Sequence, residues 1–496
     1  MPNAKANQKG HSAHTEAAAS QGLRGTMERP IKLTFLGAGS FFTPRLINDV
    51  LRIPGERGGT IALVDIDASR LRRSQRLIAM LLARRGKKTW RLVASTDRTK
   101  VLPDSDYIVN CIEVSGLECV VHDNDIPLRY GVDQCIGDTI GPGGLFKALR
   151  TIPVWLDVLR DCERLCPQAI VLNYTNPMGM MCLAAARSSS MSVIGLCHSV
   201  QGTSHLLAEY AGVPYDELAW ECAGINHLAW FTTLKHREVD LYRDRLHARF
   251  ENEIAAGLRE YDEGRVAQDS QDNSHGATAT VRYQHTDLVR KDMCLKFGAF
   301  ITESSGHLSE YLPYYRKNPA GRKLLRLGYD GGSRFYASNW PRWRAAADTE
   351  RLAMLRGDES IDWPRSWEYA SWIIEAREKD VPFRIHGNVL NVHDGAGPLI
   401  TNLPADGCVE VACLVDRNGI QPTRYGALPP QMAAVCASNM AMIDLGARAA
   451  VERSIETAIH ALMLDPLTAA VCSPAEIKQM TLELFAAEKR YLPRFK

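Results

Sequence analysis

With 496 residues, 45% of them hydrophobic and 23% charged, the chain carries enough apolar mass for a large core and more than one domain. A formal charge of only +2, with no long like-charge block, excludes the electrostatic footprint of a nucleic-acid or membrane-surface protein. No apolar run reaches the roughly eighteen residues of a membrane-spanning helix, so the expected partner is a small molecule.

Residues 1–28 are polar and rich in small residues ("MPNAKANQKGHSAHTEAAASQGLRGT"), lack the apolar centre of a secretory signal, and read as a disordered tail. The 13 cysteines are scattered without a CxxC pair, which favours reduced thiols and a cytoplasmic location. From residue 29 strands and helices alternate. "IKLTFLGAGS" predicts a strand and a tight turn, "TPRLINDVLRI" a helix, and "TIALVDID" a second strand. A helical stretch, "ASRLRRSQRLIAMLLARR", then precedes the strand "YIVNCIEV". Such alternation predicts an α/β protein with a Rossmann-like, doubly wound parallel sheet, here over residues 29–205. Residues 206–496 mix helical stretches such as "HLLAEYAG" and "ASWIIEARE" with strand-like runs such as "CVEVACLV", and predict a mixed α/β domain closing over the first. The alanine-rich "QMAAVCASNMAMIDLGARAAVERSIETAIHALMLD" has long helical spacing suited to core or subunit interface.

Within "FLGAGS", Gly37 and Gly39 permit a tight turn and close approach of backbone to a pyrophosphate, with Ser40 beside them. Phe42 stands where the third glycine of GxGxxG would be, so the motif is weak alone. Asp65, at the end of the next strand, strengthens it, because an acid there holds the ribose hydroxyls of NAD and disfavours the 2′-phosphate of NADP.

Further on, "DTIGPGG" (Asp138 to Gly144) offers backbone amides in a loop leading into the helical "LFKALRTIPVWLDVLRDC", or simply an ordinary glycine-bearing loop. Three polar clusters then each follow an apolar run: "AIVLNYTNPMGMM", "VIGLCHSVQG" and "ECAGINHLAWF". Beyond the carboxyl ends of strands in an open sheet, Asn176, Cys197, His198, Asn226 and His227 would share one crevice. Cys197 and His227 are candidate ligands for a divalent transition metal; the alternative is a buried thiol and a satisfied core histidine.

Taken together, "FLGAGS", "DTIGPGG", "LNYTNPM", "GLCHSV", "GINHLAWF", "FITESSGHLSEYLPYY", "HGNVLN" and "VEVACLVDRNGIQP", in that order, resemble glycoside hydrolase family 4, the NAD- and metal-dependent glycosidases. The "CHSV" tetrad looks like the α-galactosidase version, whereas a "CD" pair would look like the 6-phospho-α-glucosidases. The resemblance implies hydride transfer from C3 of the sugar to NAD, removal of the acidified C2 proton, elimination of the glycosidic oxygen, water addition, and return of the hydride. Manganese or another divalent ion would polarise the C2 and C3 oxygens.

On the same basis Cys197 and His227 match the metal ligands, and Asn176 matches the asparagine that orients sugar hydroxyls, with Asn226 a second candidate for binding substrate. Asp292 aligns with the C2 base, although a solvated surface aspartate would look the same in sequence. His198 is expected to protonate the leaving oxygen. A homodimer or homotetramer is implied as well.

Gly306 departs from the family pattern, standing where a glutamate is more usual. Trp340, Trp343, Trp363, Arg365, Trp367 and Trp372 suit core or interface, yet a tryptophan face with a guanidinium would also suit an anionic sugar. An α-glucuronide, a sulfoquinovoside or an α-glucoside is therefore the alternative substrate. An NAD-dependent dehydrogenase with net redox turnover, sharing the lactate/malate-dehydrogenase-like front end, and a non-catalytic NAD sensor are alternatives of another class.

Overall fold

The computed structural model describes residues 22–264, 284–392 and 395–496. Among them a 13-stranded sheet organises the fold. Its first six strands are β1 (Ile31–Leu36), β2 (Gly59–Val64), β3 (Trp90–Ser95), β4 (Tyr107–Asn110), β5 (Ile170–Asn173) and β6 (Ser192–Gly195). They pair in parallel in the order β3-β2-β1-β4-β5-β6, the Rossmann arrangement. The runs "YIVN" and "IVLN" are buried at every position because helices cover both faces of the sheet. β3, which the sequence pattern did not announce, is the edge strand and is half-exposed along most of its length.

The sheet does not stop near residue 205. β7 (Leu218–Ile225), β8 (Leu228–His236), β9 (Val239–Asp240), β10 (Phe300–Ile301), β11 (Phe383–Leu390), β12 (Cys408–Asp416) and β13 (Gly419–Pro422) extend it with antiparallel pairs. β11 joins β6 through the single bridge Asn388↔Gly195, and β12 joins β7 through Glu410↔Gly224. The second half thus continues the same sheet.

Most of the expected tail, residues 1–21, lies outside the described residues. Its last part is not a tail: Met27 is fully buried and its N–H donates to Gly55 O at 3.1 Å, while Leu23 N–H donates to Glu375 Oε1 at 2.8 Å. An apolar side chain with a core slot and backbone partners repays its ordering.

The long C-terminal helical pattern resolves into two helices, Pro430–Glu452 and Ile455–Met463, because Arg453 takes a left-handed conformation (φ +56°) and Ser454 caps the second by accepting from Thr457 N–H. Small residues on the first, Ala433, Gly446, Ala447 and Ala450, let it pack closely over the helices Gly141–Leu165 and Met178–Ser188. No described helix is long and apolar enough to cross a membrane.

Candidate active site

The glycine turn forms where β1 ends. Gly37 has φ +74°, and a Cβ there would stand 2.4 Å from Cys111 O, so only glycine fits. Gly39 N–H donates to Asp65 Oδ2 at 2.7 Å, and Asp65 Oδ1 accepts from Asp67 N–H at 2.9 Å. Ser40 Oγ accepts from Phe42 N–H at 3.2 Å, at the start of the helix Phe42–Leu51. Gly37, Gly39 and Ser40 therefore form one turn with Asp65 bonded to it from the end of β2, at the point where the strand order runs outward from β1 in both directions. Arg351, which sequence reasoning did not single out, donates to Gly39 O (3.2 Å) and Ser40 O (3.0 Å) from the helix Phe335–Arg356. Burial and the neighbouring Arg70 lower its guanidinium to about 10.

Past β5, the Asn110, Asn173 and Thr175 side chains lock the loop: Asn110 Nδ2 donates to Asn173 Oδ1 at 2.8 Å, and Thr175 Oγ1 donates to Ile112 O at 3.1 Å. This presents Asn176, whose Nδ2 donates to Asp138 Oδ2 at 3.4 Å. Asp138 also faces Lys147 Nζ (3.6 Å) and His307 Nε2 (3.7 Å). Burial would raise its carboxyl, but these cations outweigh that and keep it ionised below the usual range. The three amides of Cys135, Ile136 and Gly137 that precede Asp138 all donate to the buried Glu310 carboxylate, which fixes the loop.

His227 does not follow a parallel strand, as the crevice argument had it. Asn226 and His227 are the two-residue turn of the antiparallel β7–β8 hairpin, with Ile225 paired to Leu228 and φ +62° at His227. Both are buried, and among the described residues neither amide atom of Asn226 has a hydrogen-bond partner. Buried polar atoms are nearly always paired, so this amide has the capacity to bond a ligand.

Around His227 the structure assembles Glu303 and His307, with one ligand atom of each of the three within 4.8 Å of the others. Glu303, like His227, has positive φ (+74°), a conformation that concentrates at functional sites. Burial, with His307 adding to it, lowers His227 to about 3, so its imidazole is neutral and ready to ligate. Burial would lower His307 too, but its contact with Glu303 (3.3 Å) and the surrounding carboxylates push it up to about 9. The same pairing holds Glu303 well below the usual carboxylate range against its own burial. Glu303 and His307 lie in "FITESSGHLSEY" and were not among the expected ligands; an acid and an imidazole four residues apart are the signal the sequence offers for them.

Cys197 is outside that trio. Its thiol donates to Ser199 Oγ at 3.2 Å, and burial, together with the Glu410 and Glu303 carboxylates, pushes it well above the ordinary thiol range. A thiol so placed deprotonates only if a cation joins it. His198, half-exposed, sets Nδ1 at 3.5 Å from Glu368 Oε1; burial raises Glu368 to about 6 despite the nearby imidazole. Asp292 stands apart from these contacts, its Oδ2 accepting from Tyr315 Oη at 2.8 Å.

At Gly306 a Cβ would lie 2.2 Å from Tyr329 O and 2.8 Å from Cys135 Sγ, so a glutamate has no room in this chain. The Arg365 guanidinium bonds the buried Glu375 (2.5 Å) and stacks over Trp372 at 3.7 Å, a core arrangement.

The model for the family 4 glycosyl hydrolases matches residues 32–213, and that for their C-terminal domain matches residues 222–468. An α-galactosidase of Bacillus subtilis is 38% identical over 94% of this chain and all of its own length. One of Rhizobium meliloti is 36% identical over 94% of this chain and 89% of its own. A 6-phospho-α-glucosidase from gut microorganisms, solved with NAD and Mn2+, shares the fold at a TM-score of 0.71 and 20% identity, over 94% of this chain and 100% of that one. The chain belongs to family 4 of the glycosyl hydrolases.

Proposed function

We propose that this chain hydrolyses α-galactosides, using NAD and a divalent metal, manganese first among them. The observation that carries the reading is one connected polar site. Asn176 touches Asp138, Asp138 faces His307, and His307 pairs with Glu303 next to the neutral His227. Kinship with α-galactosidases at 36–38% identity and the "CHSV" tetrad indicate the sugar. Residues 29–205 would bind the dinucleotide and 206–496 complete the substrate and metal site.

The donor set fits a metal of intermediate softness: a neutral imidazole at His227, carboxylate and imidazole at Glu303 and His307, and the Cys197 thiol, close enough to feel the Glu303 charge. The glycine turn fits a dinucleotide, because it joins the end of β1 to the start of the helix Phe42–Leu51 and Asp65 can exchange the Gly39 N–H for ribose hydroxyls. When bound, NAD supplies reversible hydride chemistry at C3 of the sugar and the metal a Lewis acid for its C2 and C3 oxygens.

The chain's own residues supply the rest. Asn176 and Asn226 orient the sugar hydroxyls, Asn226 with an otherwise unpartnered amide. His198, with Nδ1 turned to Glu368, has Nε2 to hand a proton to the leaving oxygen. Asp292, held by Tyr315 outside these contacts, is assigned the C2 proton by the family resemblance alone. The buried pairing of Arg365 with Glu375 removes the guanidinium that favoured an anionic sugar.

Hydrolysis of an aryl α-galactoside by the purified, reduced protein, with NAD and manganese each present or omitted, tests the reading. Activity is expected only with both, without net change in nicotinamide absorbance. No hydrolysis with both present, or a lasting absorbance change during turnover, would overturn it.

A further inference from the structure

The helix Leu117–Arg129 and the C-terminal helix Pro474–Ala487 lie side by side. At the surface Tyr130 Oη donates to Glu483 (3.0 Å) and Tyr491 Oη to Glu118 (2.6 Å), with Arg129 and Arg490 paired to the same two glutamates. Beneath these ties, Cys119 and His122, three residues apart and so on one helical face, meet Glu488 at the end of the second helix. A thiol sulfur, an imidazole nitrogen and a carboxylate oxygen there all lie within 4.8 Å of one another. Cys119 and Glu488 are fully buried, while His122 is half-buried at the rim, where an ion can enter.

Two further observations point to a ligand. Among the described residues, the buried atoms His122 Nδ1 and Glu488 Oε1 have no hydrogen-bond partner, unlike nearly all buried polar atoms. Charge is also unbalanced. Arg150 serves both Asp123 (2.8 and 3.0 Å) and Glu488, all three buried, while the nearby Lys147 is engaged by Glu113 and Asp138. Two buried carboxylates against one guanidinium leave a negative charge that, without a cation, is met by a proton shared between Asp123 and Glu488, and a metal ion would displace that proton. A divalent ion carrying the Cys119 thiolate would bring this group to neutrality.

We propose that Cys119, His122 and Glu488 form a second metal site, separate from the catalytic one, that takes zinc or a similar thiolate-accepting divalent ion and staples the C-terminal helix to Leu117–Arg129. One sulfur, one nitrogen and one oxygen ligand, completed by water, suit tetrahedral zinc. Ligand atoms around such an ion sit roughly 3.5 Å apart, so the three side chains close by about an ångström on binding. The staple acts on the fold. It also backs the catalytic loop, since Gln134 Nε2 donates to Asp123 O at 2.6 Å, four residues before Asp138.

Cobalt(II) titration of the chelator-treated full-length protein tests the site by counting equivalents and following the thiolate-to-cobalt absorption band. The wild type should bind two equivalents, and Cys119→Ala and His122→Gln one each. Zinc should raise the unfolding temperature of the wild type more than that of His122→Gln, whose change at the rim leaves the core packing intact. Equal stoichiometry in the wild type and His122→Gln, or equal zinc-induced shifts, would overturn the proposal.

Discussion

Glu410 offers a quantitative test of how the sheet carries charge beneath the site. It lies on β12, fully buried, with Oε1 accepting from Asn388 Nδ2 at 3.3 Å and Oε2 without a partner among the described residues. Burial, reinforced by the Glu303 charge, pushes its carboxyl from 4.5 up to about 8. The folded state therefore holds this proton more tightly than the unfolded chain does. The stabilisation is fully present below the unfolded value of 4.5 and is lost as pH rises through about 8. At 1.36 kcal/mol per unit, raising the pH from about 5.5 to about 8.5 should remove about 3 kcal/mol. Glu410→Gln keeps the shape and abolishes the ionisation. Urea unfolding of the metal-free wild type and Glu410→Gln at those two pH values should show the wild type losing about 3 kcal/mol more than the variant. Parallel losses would refute the buried-proton argument.

Glu303→Gln, which removes the charge holding His307 while keeping its size, should weaken manganese binding by roughly 10–100-fold in calorimetry; unchanged affinity would remove Glu303 from the metal site. His198→Ala should slow galactosides with poor leaving groups by about 100-fold or more and barely affect nitrophenyl galactosides, whereas equal losses would exclude proton transfer to the leaving oxygen. Asp292→Asn should suppress exchange of the C2 hydrogen with deuterated solvent, followed by mass spectrometry, and exchange at the wild-type rate would move the base elsewhere. Gly306→Glu should destabilise by about 1–3 kcal/mol, because even its Cβ meets Tyr329 O at 2.2 Å; an unchanged melting temperature would contradict that contact.

The parallel half of the fold was legible because its physics is local. "YIVN" and "IVLN" are continuous apolar runs since both faces of those strands are covered, and the turn after β1 needs glycine at Gly37. β3 escaped because an edge strand is half-wet and shows no such run. The Asn226–His227 turn carries no glycine to announce a hairpin, so its chemistry was legible but its setting was not.

The acids that complete the site are harder to read from sequence for a deeper reason. The antiparallel half meets the parallel half at two bridges, Asn388↔Gly195 and Glu410↔Gly224, each placing a polar residue opposite a glycine. Asn388 Nδ2 reaches both Gly195 O (3.5 Å) and Glu410 (3.3 Å), so the seam of the sheet is itself polar. In "CVEVACLV" nothing local distinguishes a glutamate facing water from one sealed at such a seam, because its burial depends on strands nearly two hundred residues away in the chain. Glu368 and Glu410 acquire their raised proton affinities only when distant elements close on them, whereas Glu303 owes its low one largely to His307 four residues on, so the site's electrostatics are in part a property of the assembled sheet.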